Sequence, residues 1–277
     1  MPELPEVESI RRALVAPLLR STLRLVSLNR RDIVVSDSAR PSDASLLGGA
    51  RVVSIRRHGK QLAIVGDTGV VLVVGLGMTG QLGISAPSDP LPSHVHVLWE
   101  VRRPRAKRLS LWFRDPRRFG RLVPLHGNAA LAGHWGLLGP DALTLTPAQL
   151  KERVGSRQSS CKAFLLDQHR IAGLGNIYVD ESLFRAKIHP LRVISSLNDK
   201  ERLRLVSAVR FILRASVASG GSTIRDYRLP RGERGTFVRR HKVYGKAGQP
   251  CWACGTLIHT AIVAGRTTAW CAQCQPR

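Results

Sequence analysis

The 277-residue chain lacks any long apolar run. Its longest, Val70–Val74, falls far short of the roughly 20 residues a bilayer-spanning helix needs. No charged start leads into an apolar stretch, so no signal peptide is expected, and the reading is a cytoplasmic protein without a membrane partner. Negative charge is also scarce: 19 Asp and Glu stand against 43 Lys and Arg, for a net charge of +24. That imbalance is the footprint of a polyanion-binding protein, and nucleic acid is the commonest polyanion. Cysteine is sparse and unevenly placed. Four of the five form two pairs near the C-terminus, as expected for a metal site in a reducing compartment rather than for disulfides. The fifth, Cys161, reads as a packed helix residue. A hydrophobic content of 43% excludes a disordered chain, and the length leaves room for two domains with a sizeable core.

What is present divides in two. After a helix at about residues 6–16, short Val-, Ile- and Leu-rich runs separated by turn residues read as strands: 23–28, 33–35, 50–56, 61–65, 70–76, 94–101, 108–113 and 120–125. Eight short strands without long helices between them predict a β-sandwich or barrel. Residues 127–145, with Gly133, Gly136 and Gly139-Pro140, read as a linker with little regular structure. From Thr146-Pro147, a capping residue before a first-turn proline, the chain turns helical. Further helices are expected over 159–170, 178–186 and 198–219. A basic loop follows over 222–246, carrying Arg225, Arg228, Arg231, Arg234, Arg239, Arg240, Lys242 and Lys246. The domain reading is therefore 1–126, a linker at 127–145, a helical domain at 146–246 and a cysteine module at 247–277.

The cysteine module carries the strongest physical signal. Cys251-x2-Cys254 and, sixteen residues on, Cys271-x2-Cys274 match the spacing of a tetrahedral four-thiolate zinc site. Four thiolates leave no open position, so the expected zinc is structural. The intervening residues suit a β-hairpin that presents Arg266 towards phosphate or sugar.

The N-terminus suits chemistry. Met1-Pro2-Glu3-Leu4-Pro5-Glu6 contains two prolines and two carboxylates. Removal of Met1 would leave Pro2 with a secondary amine, and an α-amino group near pKa 7.7–8.0 is partly unprotonated at neutral pH. Such an amine attacking a sugar aldehyde carbon gives a cationic iminium, an electron sink for breaking neighbouring bonds. Glu3 beside it is placed to move protons. Three further stretches fit this chemistry. Gly173-Leu174-Gly175-Asn176 makes a turn that opens a helix and offers N–H groups to phosphate. Asp115-Pro116-Arg117-Arg118-Phe119-Gly120 is a turn with an aromatic tip, suited to filling the gap left by an extruded base, and Met78 shares that reading; both also allow a plain core residue. Lys60, in Arg57-His58-Gly59-Lys60, is positioned to hold phosphate or shuttle a proton.

In chain order these pieces resemble the bacterial formamidopyrimidine-DNA glycosylase family, from Met1 to Cys274. The carrying motifs are residues 1–8, 115–120, 173–178 with Glu181-Ser182-Leu183-Phe184, Val243-Tyr244-Gly245 with Pro250, and the four cysteines. The resemblance implies an α+β architecture: an N-terminal β-sandwich, a helical domain with a helix–two-turns–helix, and a C-terminal zinc finger. It implies excision of oxidised purines (8-oxoguanine and formamidopyrimidines) from duplex DNA in base excision repair, then strand cleavage by β,δ-elimination. Carried over by position, Pro2 is the Schiff-base nucleophile, Glu3 the general acid/base, Glu6 its support, Lys60 the β-elimination lysine and Arg266 the finger arginine. Met78, Arg117 and Phe119 are void-filling residues, with His94, Arg117, Arg118 and Asn176 at DNA-contacting positions. Cys251, Cys254, Cys271 and Cys274 hold one zinc, and a monomer without nucleotide cofactor, associated with the nucleoid through DNA, is expected. Two positions depart from the family pattern. Gly75 stands where a histidine is usual, and a helical-domain lysine falls near Gln158, with Arg157 as substitute. An oxidised-pyrimidine specificity of the endonuclease VIII type and a non-catalytic lesion-binding protein are the alternatives.

Overall fold

The computed structural model describes residues 2–35, 41–224 and 227–277. Arg225, counted in the basic loop above, lies outside the described residues. The chain forms two compact units, one running to Gly136 and taking in Gly220–Thr236, the other made of Leu137–Ser219 and Phe237–Arg277.

The first unit opens with α1 (Leu4–Leu18), which carries Pro5 in its first turn, where a proline is tolerated. Leu4, Val7, Ile10, Leu14 and Leu18 recur every three or four residues and all are buried. Eight strands follow: β1 (Thr22–Leu28), β2 (Val52–His58), β3 (Gln61–Gly66), β4 (Val70–Gly75), β5 (Gln81–Ser85), β6 (Val95–Arg102), β7 (Leu109–Arg114) and β8 (Arg121–His126). They make two four-stranded antiparallel sheets, ordered β1-β6-β7-β5 and β2-β3-β4-β8. Leu23, Trp99, Phe113 and Leu82 of the first sheet share one core with Ile55, Leu62, Leu72 and Leu122 of the second and with α1. This is the expected sandwich.

Residues 127–136 differ from the linker reading: they form α2 (Gly127–Gly136). Its Leu131 and Trp135 pack with Val65, Val71 and Val73 on the second sheet's other face, and the Trp135 indole N–H donates to Gln61 Oε1 at 3.0 Å. Two apolar anchors four residues apart hold a glycine-containing helix that propensity alone would not. They also explain why β3 and β4 read as unbroken apolar runs, since both faces of these strands are covered. Residues 33–35 contribute only a bridge, Val34 to Leu122, in place of a strand.

The second unit holds α3 (Pro147–Val154), α4 (Cys161–Leu166), α5 (Asn176–Ala186), α6 (Asp199–Ala218) and the hairpin β9 (His259–Val263) and β10 (Arg266–Trp270). Reciprocal capping starts α3 at Thr146 with Gln149 and α6 at Asn198 with Glu201. Cys161 is fully buried at the start of α4, as read from sequence, and burial pushes its thiol up to about 12. The basic loop divides: residues 220–236 pack with the first unit and Phe237–Arg240, a short 3-10 turn, with the second. Among the described residues no helix is long and apolar enough to cross a membrane.

Candidate active site and nucleic-acid interface

The start of the first unit is fixed by one carboxylate. Pro2, Glu3 and Glu6 are buried. The Glu3 backbone N–H donates to Glu6 Oε2 at 2.8 Å, and the Ser222 N–H, from a segment 216 residues away in the chain, donates to Glu6 Oε1 at 2.7 Å. The Tyr227 hydroxyl adds a bond to the Glu6 carbonyl at 3.3 Å. Gly221 (φ +86°) lies so close that a Cβ there would stand 2.8 Å from Glu6 Oε1, so only glycine permits this approach. Glu6 thus clips residues 220–222 to the N-terminus, which is why residues 220–236 belong to this unit.

Lys60 sits with Gly59 in the turn between β2 and β3. The base of that turn is tied to α1 through Arg57, whose Nε donates to Glu8 Oε2 at 3.1 Å and whose Nη1 donates to the Gly59 carbonyl at 3.1 Å. Burial alone would raise the Glu8 pKa. Hydrogen bonds from Arg11 and Arg12, with the charges of Arg11 and Arg57, outweigh that and hold it at about 2.

Two turns of the same unit project apolar tips. Met78 is 40% exposed and Phe119 49% exposed, so neither is a core residue. Gly77 lies against the Phe119 backbone, making the tips neighbours. The Arg117 guanidinium sits 4.7 Å from the centre of the Phe119 ring. Asp115, fully buried, organises the turn. It accepts from the Gly120 N–H at 2.7 Å, from the Arg117 N–H at 3.3 Å and from the Thr79 hydroxyl, which joins the Met78 turn to it. Its own N–H donates to the carbonyl of His94, an exposed residue at φ +63°. Arg118 turns aside to pair with Asp32 at 3.0 Å.

In the second unit the four cysteine sulfurs lie within 4.8 Å of one another. Three Sγ···Sγ separations are 3.4, 3.6 and 3.9 Å. Tetrahedral Zn–S bonds of ~2.3 Å imply separations of roughly 3.8 Å, so the cluster fits zinc, and it is far too open for S–S bonds. The residues hold one structural Zn2+, and the finger packs on α5 through Phe184.

Three family models match in chain order: the formamidopyrimidine-DNA glycosylase N-terminal domain over residues 1–122, that enzyme's H2TH domain over 138–228, and the zinc finger found in FPG and IleRS over 248–277. The chain belongs to the formamidopyrimidine-DNA glycosylase family. It is 42% identical to the formamidopyrimidine-DNA glycosylase of Thermomicrobium roseum, over 100% of this chain and 99% of that one. It matches the crystal structure of the MutM (Fpg) protein from Thermus thermophilus with a TM-score of 0.83 at 39% identity, covering 99% and 98% of the two chains. It also matches the wild-type Lactococcus lactis Fpg in complex with a DNA containing N7-benzyl-Fapy-dG, with a TM-score of 0.88 at 30% identity over the whole of both chains. As a member of this family the protein is a DNA glycosylase.

The second unit puts some residues to uses the sequence did not reveal. Asn176, expected to offer its amide to phosphate, donates from Nδ2 to the Thr267 carbonyl at 2.7 Å, beside Arg266, and accepts from Lys162 Nζ at 2.6 Å. Lys162 is fully buried and ion-paired to Asp180, whose second oxygen accepts from the Ala269 N–H at 3.1 Å. Burial raises the Asp180 carboxyl to about 6 despite Lys162. Thus α4, α5 and the zinc hairpin are tied together, with exposed Arg266 at the start of β10. The signal for Lys162 was its place among the buried residues of Cys-Lys-Ala-Phe-Leu-Leu. Arg157 caps α3, its Nη1 donating to the carbonyls of Arg153 at 2.7 Å and Val154 at 3.1 Å, a favourable place for a cation at a helix C-terminus. Glu181 was read only as part of a motif. It accepts from three successive N–H groups, of Lys242, Val243 and Tyr244, at 2.9–3.0 Å.

Proposed function

We propose that the protein excises oxidised purines, 8-oxoguanine and formamidopyrimidines, from duplex DNA and then cuts the strand by β,δ-elimination, acting as a monomer without a nucleotide cofactor in the cytoplasm. The observation that carries this reading is the Glu6 clip, which spends both carboxylate oxygens on fixing the backbone at residues 3 and 222. Residue 2 is thereby held where its position matters to a reaction, whereas most chain termini fray.

With Met1 removed, the Pro2 amine attacks C1′ of the extruded nucleotide as the C1′–N bond to the base breaks. The base leaves with a proton; the C1′–O4′ bond then opens, O4′ taking up a proton as the nitrogen lone pair forms the C1′=N iminium. Withdrawal of a C2′ proton sends electrons through C2′ to expel the 3′-phosphate, and a second elimination expels the 5′-phosphate. Water then releases the sugar fragment and restores the amine. Glu3 moves protons at the sugar, and Lys60 assists β-elimination from a turn anchored to α1 by Arg57 and Glu8. Met78 and Phe119 fill the space of the extruded base, Arg117 and His94 contact the strands, and Arg266 holds phosphate from a hairpin that Asn176 braces through the Thr267 carbonyl. Arg118 and Arg157 serve the interface indirectly, as the ordered turn and helix end they stabilise. Zinc holds the hairpin fold, and no chemical step passes through it.

The test compares cleavage of 8-oxoguanine:C and thymine glycol duplexes by Met1-processed protein. The first should be cut preferentially, with both phosphate ends released. Preference for thymine glycol, or binding without cleavage, would contradict the reading. With a net charge of +24, duplex affinity should fall steeply with salt.

A further inference from the structure

A groove of about 590 Å³ lies wholly within the second unit, between the C-terminal parts of α5 and α6, the 3-10 turn at 237–240 and the first zinc knuckle. Its position sets it apart from the phosphate-facing constellation of that unit. Arg185, on its wall, is nine residues along α5 from Asn176, roughly 14 Å at the rise of an α-helix.

The lining has an unusual chemistry. Its apolar floor includes Phe184, Ile212 and Phe237, and its rims carry Phe211, 51% exposed, and Trp252, 66% exposed. Each rim ring has a cation over its face: Arg185 at 3.5 Å from the Phe211 centre and Lys242 at 4.4 Å from that of Trp252. Lys187, Arg239 and Arg240 add further exposed positive charge. The single lining acid, Glu181, is occupied by the three N–H groups of residues 242–244. A second hollow on the outer face of α6 continues past Phe211 with Arg210 and Arg214.

We propose that this groove docks a short acidic peptide segment of a partner protein, carrying one or two bulky apolar side chains. Cations at the rim meet its carboxylates, and the apolar floor takes the side chains, the arrangement by which anchor residues seat in water-excluding pockets. The features favour a peptide over nucleic acid. Cations already cover the two exposed ring faces on which bases would stack, and a phosphate backbone has nothing to place on the floor. Two exposed aromatics on a DNA-repair enzyme would otherwise be an unused apolar patch.

The experiment is fluorescence anisotropy on the full-length zinc-loaded protein with a fluorescein-labelled nonapeptide of Asp and Glu around a central Phe-Leu pair. Saturable binding is expected, weakened roughly tenfold or more by Phe211→Ser and by Arg239→Glu with Arg240→Glu. Replacing Phe-Leu by Ser-Ser in the peptide should weaken it similarly, while both protein variants keep wild-type cleavage of lesion duplex. All three substitutions are at exposed positions, and unchanged thermal melting establishes that the two variants are folded. Equal binding of the Ser-Ser peptide overturns the proposal, because only charge is then being read. So does a loss of undamaged-duplex affinity in Phe211→Ser that equals its loss of peptide affinity, since the groove then belongs to nucleic acid.

Discussion

In the first unit the functional turns are held by carboxylates that accept backbone N–H groups. Glu6 gathers residues 3 and 222, and Asp115 gathers residues 117 and 120 with the Thr79 hydroxyl. In the second unit similar carboxylates, Asp180 and Glu181, work alongside two stronger dependencies, a four-thiolate metal site and a fully buried Lys162–Asp180 pair. The contrast has a size reason. Two sheets and a helix bury one large core in the first unit, whereas the hairpin offers only a few apolar residues against Phe184. A small element without a core of its own relies on a metal or a buried network.

Stripping the metal draws the sharpest line between the units. Structural zinc in finger peptides is worth about 10–16 kcal/mol of apparent binding free energy, so chelation should melt the hairpin. Hydrogen exchange read by mass spectrometry should lose protection over 259–270 and keep it in β6 and β7. Equal loss in both units would erase the distinction. Next comes Lys162→Met, which leaves the Asp180 carboxylate buried without its cation, at a cost of about 3–5 kcal/mol. Thermal melting should show the loss, and Asp180→Asn in the same chain should recover part of it.

The third prediction belongs to the first unit. Glu8 is held near 2 in the folded protein, below its ordinary 4.5. Its contribution is therefore complete above about pH 4.5 and disappears as pH falls towards 2. Glu8→Gln should cost about 2–3 kcal/mol at pH 7 in urea melts, with the gap to wild type narrowing below about pH 4.5 and closing only as pH falls through about 2. A gap that is constant with pH would mean that the ion cluster is not its source. The smallest stability effect is expected from Phe119→Ala, within about 0.5 kcal/mol because the ring is half exposed. Its lesion cleavage should still fall roughly tenfold or more, since filling the vacated stack offsets an unstacking cost of a few kcal/mol.

Much of this was legible in the sequence because apolar periodicity and turn residues report burial directly. Seven of the eight strand readings match strands, α1 appears, α3 starts at the Thr146 cap that was read, and the cysteine spacing matches the sulfur cluster. The failures have tertiary causes. Gln81–Ser85 was passed over because Gly83 breaks its apolar pattern, yet that glycine exists to admit the Trp112 ring of β7, into which any Cβ would collide. The helix at 127–136 depends on a sheet face no local window can see. The role of Lys162 went unread because its partners, Asp180 and Asn176, stand 18 and 14 residues away. In the candidate site, residue types and turns were readable, but the Glu6 bond to residue 222 spans 216 positions and could emerge only on folding.

The proposed chemistry rests on the imino acid at position 2. Met1-processed protein should be incubated with an 8-oxoguanine:C duplex in borohydride, and the crosslinked product digested and mapped by mass spectrometry. A reduced DNA adduct on Pro2, lost in Pro2→Gly and in protein retaining Met1, is the predicted result. Efficient strand cutting with no adduct, or an adduct mapped to a lysine side chain in the wild-type protein, would contradict it.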